Sequence, residues 1–343
     1  MKIKNILIIR FSAMGDVAML VPLVHSLAVQ YPHLHITLLT RKHLTPFYDW
    51  MPANVETIGV DLKQYKGIGG LNRLYKELKN KGFDAVADMH DVLRSKFLRL
   101  RFRMSGVRCV SIDKGRKEKK RLIGHGMQSG QLTPMVQRYA DVVVKLGLSV
   151  KLDYSSAFDK AKEDISPLAS VIPPKREKEK WVGIAPFAAH ENKIYPLDKM
   201  KAVVKTIAEH KSVRVFLFGA GKKEKEVLEG WESERVMSVC GKLGGLHNEM
   251  LLMSQLDVML AMDSANMHIA SLVGTPVVSI WGATHPKAGF LPWNQPADNI
   301  LQVDDLPCRP CSVYGNKPCQ FGDLRCMNRI KPDSIINKLG KYF

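Results

Sequence analysis

Three stretches of the chain combine residue types that group-transfer chemistry needs. The first is Arg10-Phe-Ser-Ala-Met-Gly-Asp16, which follows a short apolar run and leads into a helical pattern containing Pro22. Gly15 permits a backbone turn that a residue with a Cβ resists. A carboxylate at such a junction can take a proton from an attacking hydroxyl, and it can equally cap the helix and pair with its dipole. The second stretch is the loop Ala185-Pro-Phe-Ala-Ala-His-Glu-Asn-Lys193-Ile-Tyr-Pro196. Its lysine is a compact point charge able to hold phosphate, or simply a solvated loop cation. The third is Asp263-Ser-Ala-Asn-Met-His268, entered directly from the apolar run Val258–Met262 and closed by Gly274 and Pro276. Small residues there leave the first-turn N–H groups of a helix open to an anion. The plainer alternative is a routine capped helix, with His268 packed against a sheet.

Rival motifs are missing. There is no G-x-x-x-x-G-K-[ST] and no H-E-x-x-H, and Gly219-Ala-Gly221 lacks the third glycine of a dinucleotide fingerprint. Four cysteines crowd near the C-terminus as Cys308-Arg-Pro-Cys311, Cys319 and Cys326. Four thiolates at this spacing could close a structural zinc site, although the second pair lacks the tight spacing of zinc ribbons. Reduced packing thiols fit the same pattern, and disulfides fit it least in a cytosolic protein. No metal and no cofactor is assigned.

These residues need elements to hold them. Short β-branched runs alternate with longer helical patterns, which predicts parallel sheets built from βαβ units. Strands are expected at Asn5–Arg10, His35–Thr40, Val55–Val60, Phe83–Met89 and Arg108–Ile112, with helices over Val17–Gln30, Leu71–Lys81 and Pro134–Leu146. A second series is expected at Trp181–Pro186, Arg214–Gly219, Val236–Cys240, Val258–Met262 and Val277–Trp281. Between the series, Pro173-Pro174 precedes the charged run Lys175–Lys180, a linker signature. The expected division is therefore a first domain over residues 1–168, a linker over 169–180 and a second domain over 181–343. The expected fold is α/β, with two Rossmann-like domains facing each other across a cleft. In such sheets ligands bind at the carboxyl ends of the strands.

A length of 343 residues suits two domains. No stretch reaches the ~20 apolar residues of a membrane-spanning helix, and the opening apolar run is too brief for a signal peptide, so a cytoplasmic location is expected. The net charge of +18 points to an anionic partner: nucleic acid, a membrane surface or a phosphorylated substrate. Aromatics do not interleave the basic residues and no nucleic-acid motif is present, so nucleic acid is set aside.

Taken together and in order, Met14-Gly15-Asp16-Val17, the Lys193-x-x-Pro196 loop and Asp263-Ser264 followed by His268 resemble the heptosyltransferases, family 9 of the glycosyltransferases, which build the inner core of lipopolysaccharide. The resemblance spans nearly the whole chain. It implies a GT-B-type fold and inverting transfer without metal from a nucleotide-activated sugar, typically ADP-heptose, to a lipopolysaccharide core or related anionic glycan. It further implies Asp16 as base, Lys193 on the diphosphate and Asp263 near the donor sugar, with Ser264, Ala265, Asn266 and His268 at the phosphate turn. The chain departs from the family pattern at Ala265, where glycine is common, and at Ala188, Ala189, Ile194 and Tyr195.

Twelve lysines and arginines stand between Arg94 and Arg121, against only Asp113 and Glu118. A solvated helix face is the ordinary explanation of such a run. In a first domain of this architecture, which takes the acceptor, Arg116, Lys117, Lys119 and Lys120 become candidate acceptor-binding residues. The same charge allows peripheral contact at the inner face of the inner membrane. Two other classes fit the composition: a GT-B-like transferase or epimerase using another sugar nucleotide such as a UDP-sugar, and a non-catalytic two-domain ligand-binding protein.

Overall fold

The computed structural model of the protein describes residues 3–125, 130–158 and 163–343. Its contacts divide the chain into two compact units. One comprises Met1–Gly115 and Thr133–Tyr154, and the other Arg116–Leu132 and Ser155–Phe343.

In the first unit β1 (Asn5–Ile9), β2 (His35–Arg41), β3 (Val55–Val60), β4 (Ala85–Asp88) and β5 (Arg108–Ser111) form a parallel sheet in the order β3-β2-β1-β4-β5. The register pairs Ile6 with Ile36 and Ala85. Central strands covered on both faces read as continuous apolar runs, and Ile6, Leu7, Ile8 and Ile9 are fully buried. The expected helix over Val17–Gln30 is two helices, α1 (Met14–Ala18) and α2 (Val21–Gln30). Pro22 sits in the first turn of α2, where its missing N–H costs no helical bond. Next come α3 (Gly67–Lys79) and α4 (Leu93–Met104). Tyr75, Phe83 and Phe102 meet edge to face and lock both helices to the sheet. The chain then forms α5 (Arg116–His125), which belongs to the second unit, and returns as α6 (Met135–Lys145).

The second unit contains β6 (Lys180–Ala185), α7 (Leu197–Ala208), β7 (Val213–Leu217), α8 (Gly221–Glu229), β8 (Val236–Ser238), α9 (Leu246–Gln255), β9 (Val258–Met262), α10 (Ala265–Leu272), β10 (Val277–Trp281) and β11 (Ile300–Gln302). Its parallel sheet has the order β11-β10-β9-β6-β7-β8. Trp181 and Trp281 are the bulkiest side chains of its core. Two short helices, α11 (Arg325–Asn328) and α12 (Pro332–Leu339), close the chain. They and β11 lie outside the sequence expectation.

The charged run at 175–180 is not a free tether, and the expected boundary shifts with it. Glu179 is buried and accepts from Trp181 Nε1 at 2.8 Å and Arg214 Nε at 3.2 Å. Lys175 Nζ reaches Asp257 at 2.7 Å and lies over the Trp181 ring. Ion pairing to core strands therefore makes this segment part of the second unit. Among the described residues no helix is long and apolar enough to cross a membrane.

Candidate active site

Each sheet reverses its winding once, between β1 and β4 in the first unit and between β6 and β9 in the second. The carboxyl ends of strands at such a switch point form the natural ligand crevice of a doubly wound sheet. Asp16 follows β1, Lys193 follows β6 and Asp263 follows β9.

At the first switch point Asp16 occupies the third position of α1. Its Oδ2 receives the Ala13 N–H at 3.2 Å and Arg10 Nη2 at 2.6 Å. The capping role and an ion pair thus coexist on one oxygen, and no described residue bonds to Oδ1. Arg10 is buried, donates to the Met89 carbonyl at 2.5 Å and lies over the Tyr139 ring. The Tyr139 hydroxyl donates to the Asp16 carbonyl at 3.2 Å. From β4, Asp88 is fully buried and accepts from the His90 and Asp91 N–H groups and from Arg99. His90 Nδ1 accepts the Phe11 N–H at 3.4 Å, which leaves Nε2–H directed to Ser12 Oγ at 3.5 Å. Burial, then the nearby Arg10 and Lys114 charges, push the His90 pKa down to about 3.

At the second switch point Lys193 Nζ is 2.9 Å from Asp263 Oδ2, which also accepts from Thr284 Oγ1 at 2.7 Å. The pair bridges β6 and β9. Lys193 closes a single 3-10 turn, Glu191–Lys193, and its stem lies against Gly315. A Cβ there would sit 2.5 Å from Lys193 Cγ, and Gly315 has φ +77°, so both space and backbone demand glycine. Ser264 caps α10 without a side-chain capping bond, and its buried Oγ has no partner among the described residues. Ala265 and Asn266 open the helix half-buried, where first-turn N–H groups lack intrahelical acceptors. His268 is buried one turn further on. The lysine, the unsatisfied hydroxyl and the helix start form an arrangement suited to an anionic ligand.

Residues 71–320 match the model of glycosyltransferase family 9 (heptosyltransferase). The chain belongs to glycosyltransferase family 9. It is 24% identical over 308 residues to the lipopolysaccharide core heptosyltransferase OpsX of Haemophilus influenzae, covering 88% of this chain and 84% of that protein. Among solved structures, the E. coli heptosyltransferase WaaC with ADP superposes with a TM-score of 0.69 at 14% identity, over 99% of this chain and 100% of that one. The family 9 glycosyltransferase from Veillonella parvula gives 0.74 at 18% identity, over 99% and 97%. The two doubly wound sheets of this family 9 glycosyltransferase are those of the GT-B fold.

The other candidate residues fall differently in this transferase. Arg116, Lys117 and Lys120 are exposed on α5, but α5 belongs to the second unit rather than to the first. Lys119 is buried, with Nζ 4.4 Å from the centre of the Phe290 ring, so it anchors the helix instead of offering a surface charge. Beyond the helix, the Leu132 N–H donates to the Lys287 carbonyl at 3.0 Å, a second anchor to the same loop. The six cysteines are unpaired, and among the described residues no group of three or more His, Cys, Asp or Glu side chains is arranged to hold a metal. Cys326 lies in the core of the second unit with Cys308 packed against it, and burial pushes the Cys326 thiol up to about 11.

Two residues of the enzyme escaped the sequence reading. Arg309 is buried and donates to the carbonyls of Gly282 and Val303 at 2.5 Å, Thr284 at 2.9 Å and Trp281 at 3.1 Å. It thereby fixes the loop that carries Thr284 to Asp263. Beside it His285 is buried, and its Nδ1 accepts the Lys287 N–H at 3.0 Å, placing the ring proton on Nε2. Burial, then Arg309 and Lys287, lower its pKa to about 4. The cysteines flanking Arg309 suggest a metal site in the sequence, and nothing in the local pattern marks that arginine as buried.

Proposed function

We propose that this glycosyltransferase moves a heptose from ADP-heptose, with inversion and without a metal, onto a lipopolysaccharide core or related phosphorylated glycan on the cytoplasmic side of the membrane. The observation that carries the reading is the Lys193–Asp263 pair, spanning the second switch point beside the start of α10. An ammonium has three donors, so Lys193 can keep one on Asp263 and direct the others to a diphosphate. The N–H groups opening α10 and the Ser264 hydroxyl add neutral donors on the same anion. These groups are suited to the charge that grows as the anomeric carbon–oxygen bond to phosphate breaks. The acceptor hydroxyl attacks that carbon, and Asp16 takes its proton on Oδ1 while Arg10 holds Oδ2. Bond formation and cleavage at one carbon, on opposite faces, invert its configuration. OpsX is a lipopolysaccharide core heptosyltransferase and the solved WaaC holds ADP, which supports both substrate assignments.

The decisive measurement is thermal stabilisation by ADP-, UDP-, GDP- and CMP-sugars, since a ligand that binds only the folded state raises its melting point. ADP-heptose is expected to give the largest shift, and turnover with it is expected to persist in EDTA. Preferential stabilisation by a UDP-sugar, or turnover restored only by added magnesium, would overturn the corresponding part of the assignment.

A further inference from the structure

Helix α4 presents an outer face that the first unit leaves uncovered. Its inner face is fixed: Ser95, Leu98 and Phe102 are buried, and Arg99 binds Asp88 at 2.9 Å and Asp91 at 3.3 Å. Opposite them Leu93 is 86% exposed, Leu100 55% and Met104 71%, while half-buried Phe97, on the same line, packs against the core of its own unit. The three exposed residues stand seven and four positions apart and so lie along one line of the helix. Single exposed apolar side chains are ordinary on soluble proteins, whereas three aligned on one helix face form an apolar ridge of the kind that marks a contact surface. Arg94, Lys96 and Arg103 are exposed along its sides, and α4 contains no acidic residue. Their neutralisation within the fold is slight: Lys96 Nζ lies 3.7 Å from Asp91, and Arg103 reaches the Cys109 carbonyl at 3.5 Å.

We propose that the outer face of α4 docks on a bilayer rich in anionic phospholipid. The apolar ridge enters the boundary between headgroups and acyl chains, and the flanking cations lie at the level of the lipid phosphates, their stems along the apolar surface. Charge selects this occupant. A second copy of the helix would set the same cations against one another, and a neutral apolar partner would leave them unanswered. The inference goes beyond the transfer reading, since neither donor nor acceptor enters it. Because α4 begins where the β4 loop ends, a docked helix holds the Asp16 end of this unit close to the headgroups.

The test is flotation of the full chain with vesicles of phosphatidylcholine plus phosphatidylglycerol, compared with phosphatidylcholine alone. Binding is expected only to the anionic vesicles and is expected to weaken as salt rises. The combined variant Leu93→Ser, Leu100→Ser, Met104→Ser is expected to bind at least about tenfold more weakly, and Arg94→Gln, Lys96→Gln, Arg103→Gln by a similar factor. These positions are exposed, so both variants are expected to keep the parent melting temperature and its turnover on a water-soluble acceptor fragment. Equal binding to neutral vesicles, wild-type affinity in the Ser variant, or failure of the parent to float would each overturn the proposal. So would sedimentation showing a parent dimer that the Ser variant abolishes, because the ridge would then join two copies of the chain. Loss of turnover on the soluble acceptor is a separate result that bears on the transfer reading alone.

Discussion

The two switch points share a backbone plan and carry opposite chemistry. In the first unit the strand ends gather carboxylates, Asp16 and Asp88, and tie each to a buried or half-buried arginine. In the second they gather a lysine, a hydroxyl and the start of a helix around the carboxylate of Asp263. The βαβ plan supplies the position in both cases, and the residue types at the strand ends decide whether that position offers an acceptor for protons or donors for an anion. On the proposed function the contrast also separates affinity from rate: groups that hold an anion would act on the bound donor and on the departing diphosphate, whereas a proton acceptor would act only as the bond forms.

Asp16→Asn puts the largest strain on this comparison. The amide keeps shape and the Ala13 contact but accepts no proton, so kcat is expected to fall at least ~100-fold, with ADP affinity by calorimetry unchanged. Full turnover in that variant would leave Asp16 as a helix cap. Lys193→Ala comes next. Loss of a charge that serves both bound states is expected to weaken ADP affinity and turnover together, by roughly tenfold or more each. A fall in kcat with unaltered affinity would move Lys193 into the proton-handling half.

Smaller effects follow from the histidines. His90 and His285 are buried neutral, with folded pKa values of about 3 and about 4 against an ordinary 6.5. Their contribution to stability is complete above pH 6.5 and is lost as pH falls from there toward those values, because only the unfolded chain takes up the protons. The expected slope is at most about 1.4 kcal/mol per pH unit for each histidine. Urea midpoints at pH 7 and pH 5 measure it, and His285→Asn is expected to flatten the decline. The smallest change is expected from Arg116→Ala, Lys117→Ala, Lys120→Ala on α5. Exposed charges are screened at physiological salt, so acceptor KM is expected to rise a few-fold with donor affinity intact. An unaltered KM would return α5 to a solubilising role.

Much of this plan was legible in the sequence. Apolar β-branched runs mark ten of the eleven strands among the described residues, and Asp16, Lys193 and Asp263 stand after β1, β6 and β9 as their spacing from those runs predicts. What escaped depends on neighbours distant along the chain. Gly315 looks like any loop glycine until the Lys193 stem is seen against it. Arg309 sits among cysteines, and only the folded loop shows its guanidinium wrapped in carbonyls. In the sequence the basic run from Arg94 to Arg121 is one cluster, because charge is the property its residues share. Folding divides it into α4, which has an apolar ridge, and α5, whose Lys119 is buried against Phe290. Strand β11 is half-buried along all three of its residues and so carries no alternation of buried and half-buried positions, unlike the equally short β8.

The excursion of Arg116–Leu132 into the second unit bears on how the protein can be taken apart. A single cut near residue 154 leaves the amino-terminal fragment carrying a helix whose packing surface is on the other piece, and strips the other piece of the segment that covers Phe290 and bonds Lys287. A chimaera that exchanges carboxyl-terminal halves between relatives inherits the same mismatch. Modular exchange in this protein therefore requires three junctions, at 115/116, 132/133 and 154/155, with the inserted helix travelling alongside the half it packs on.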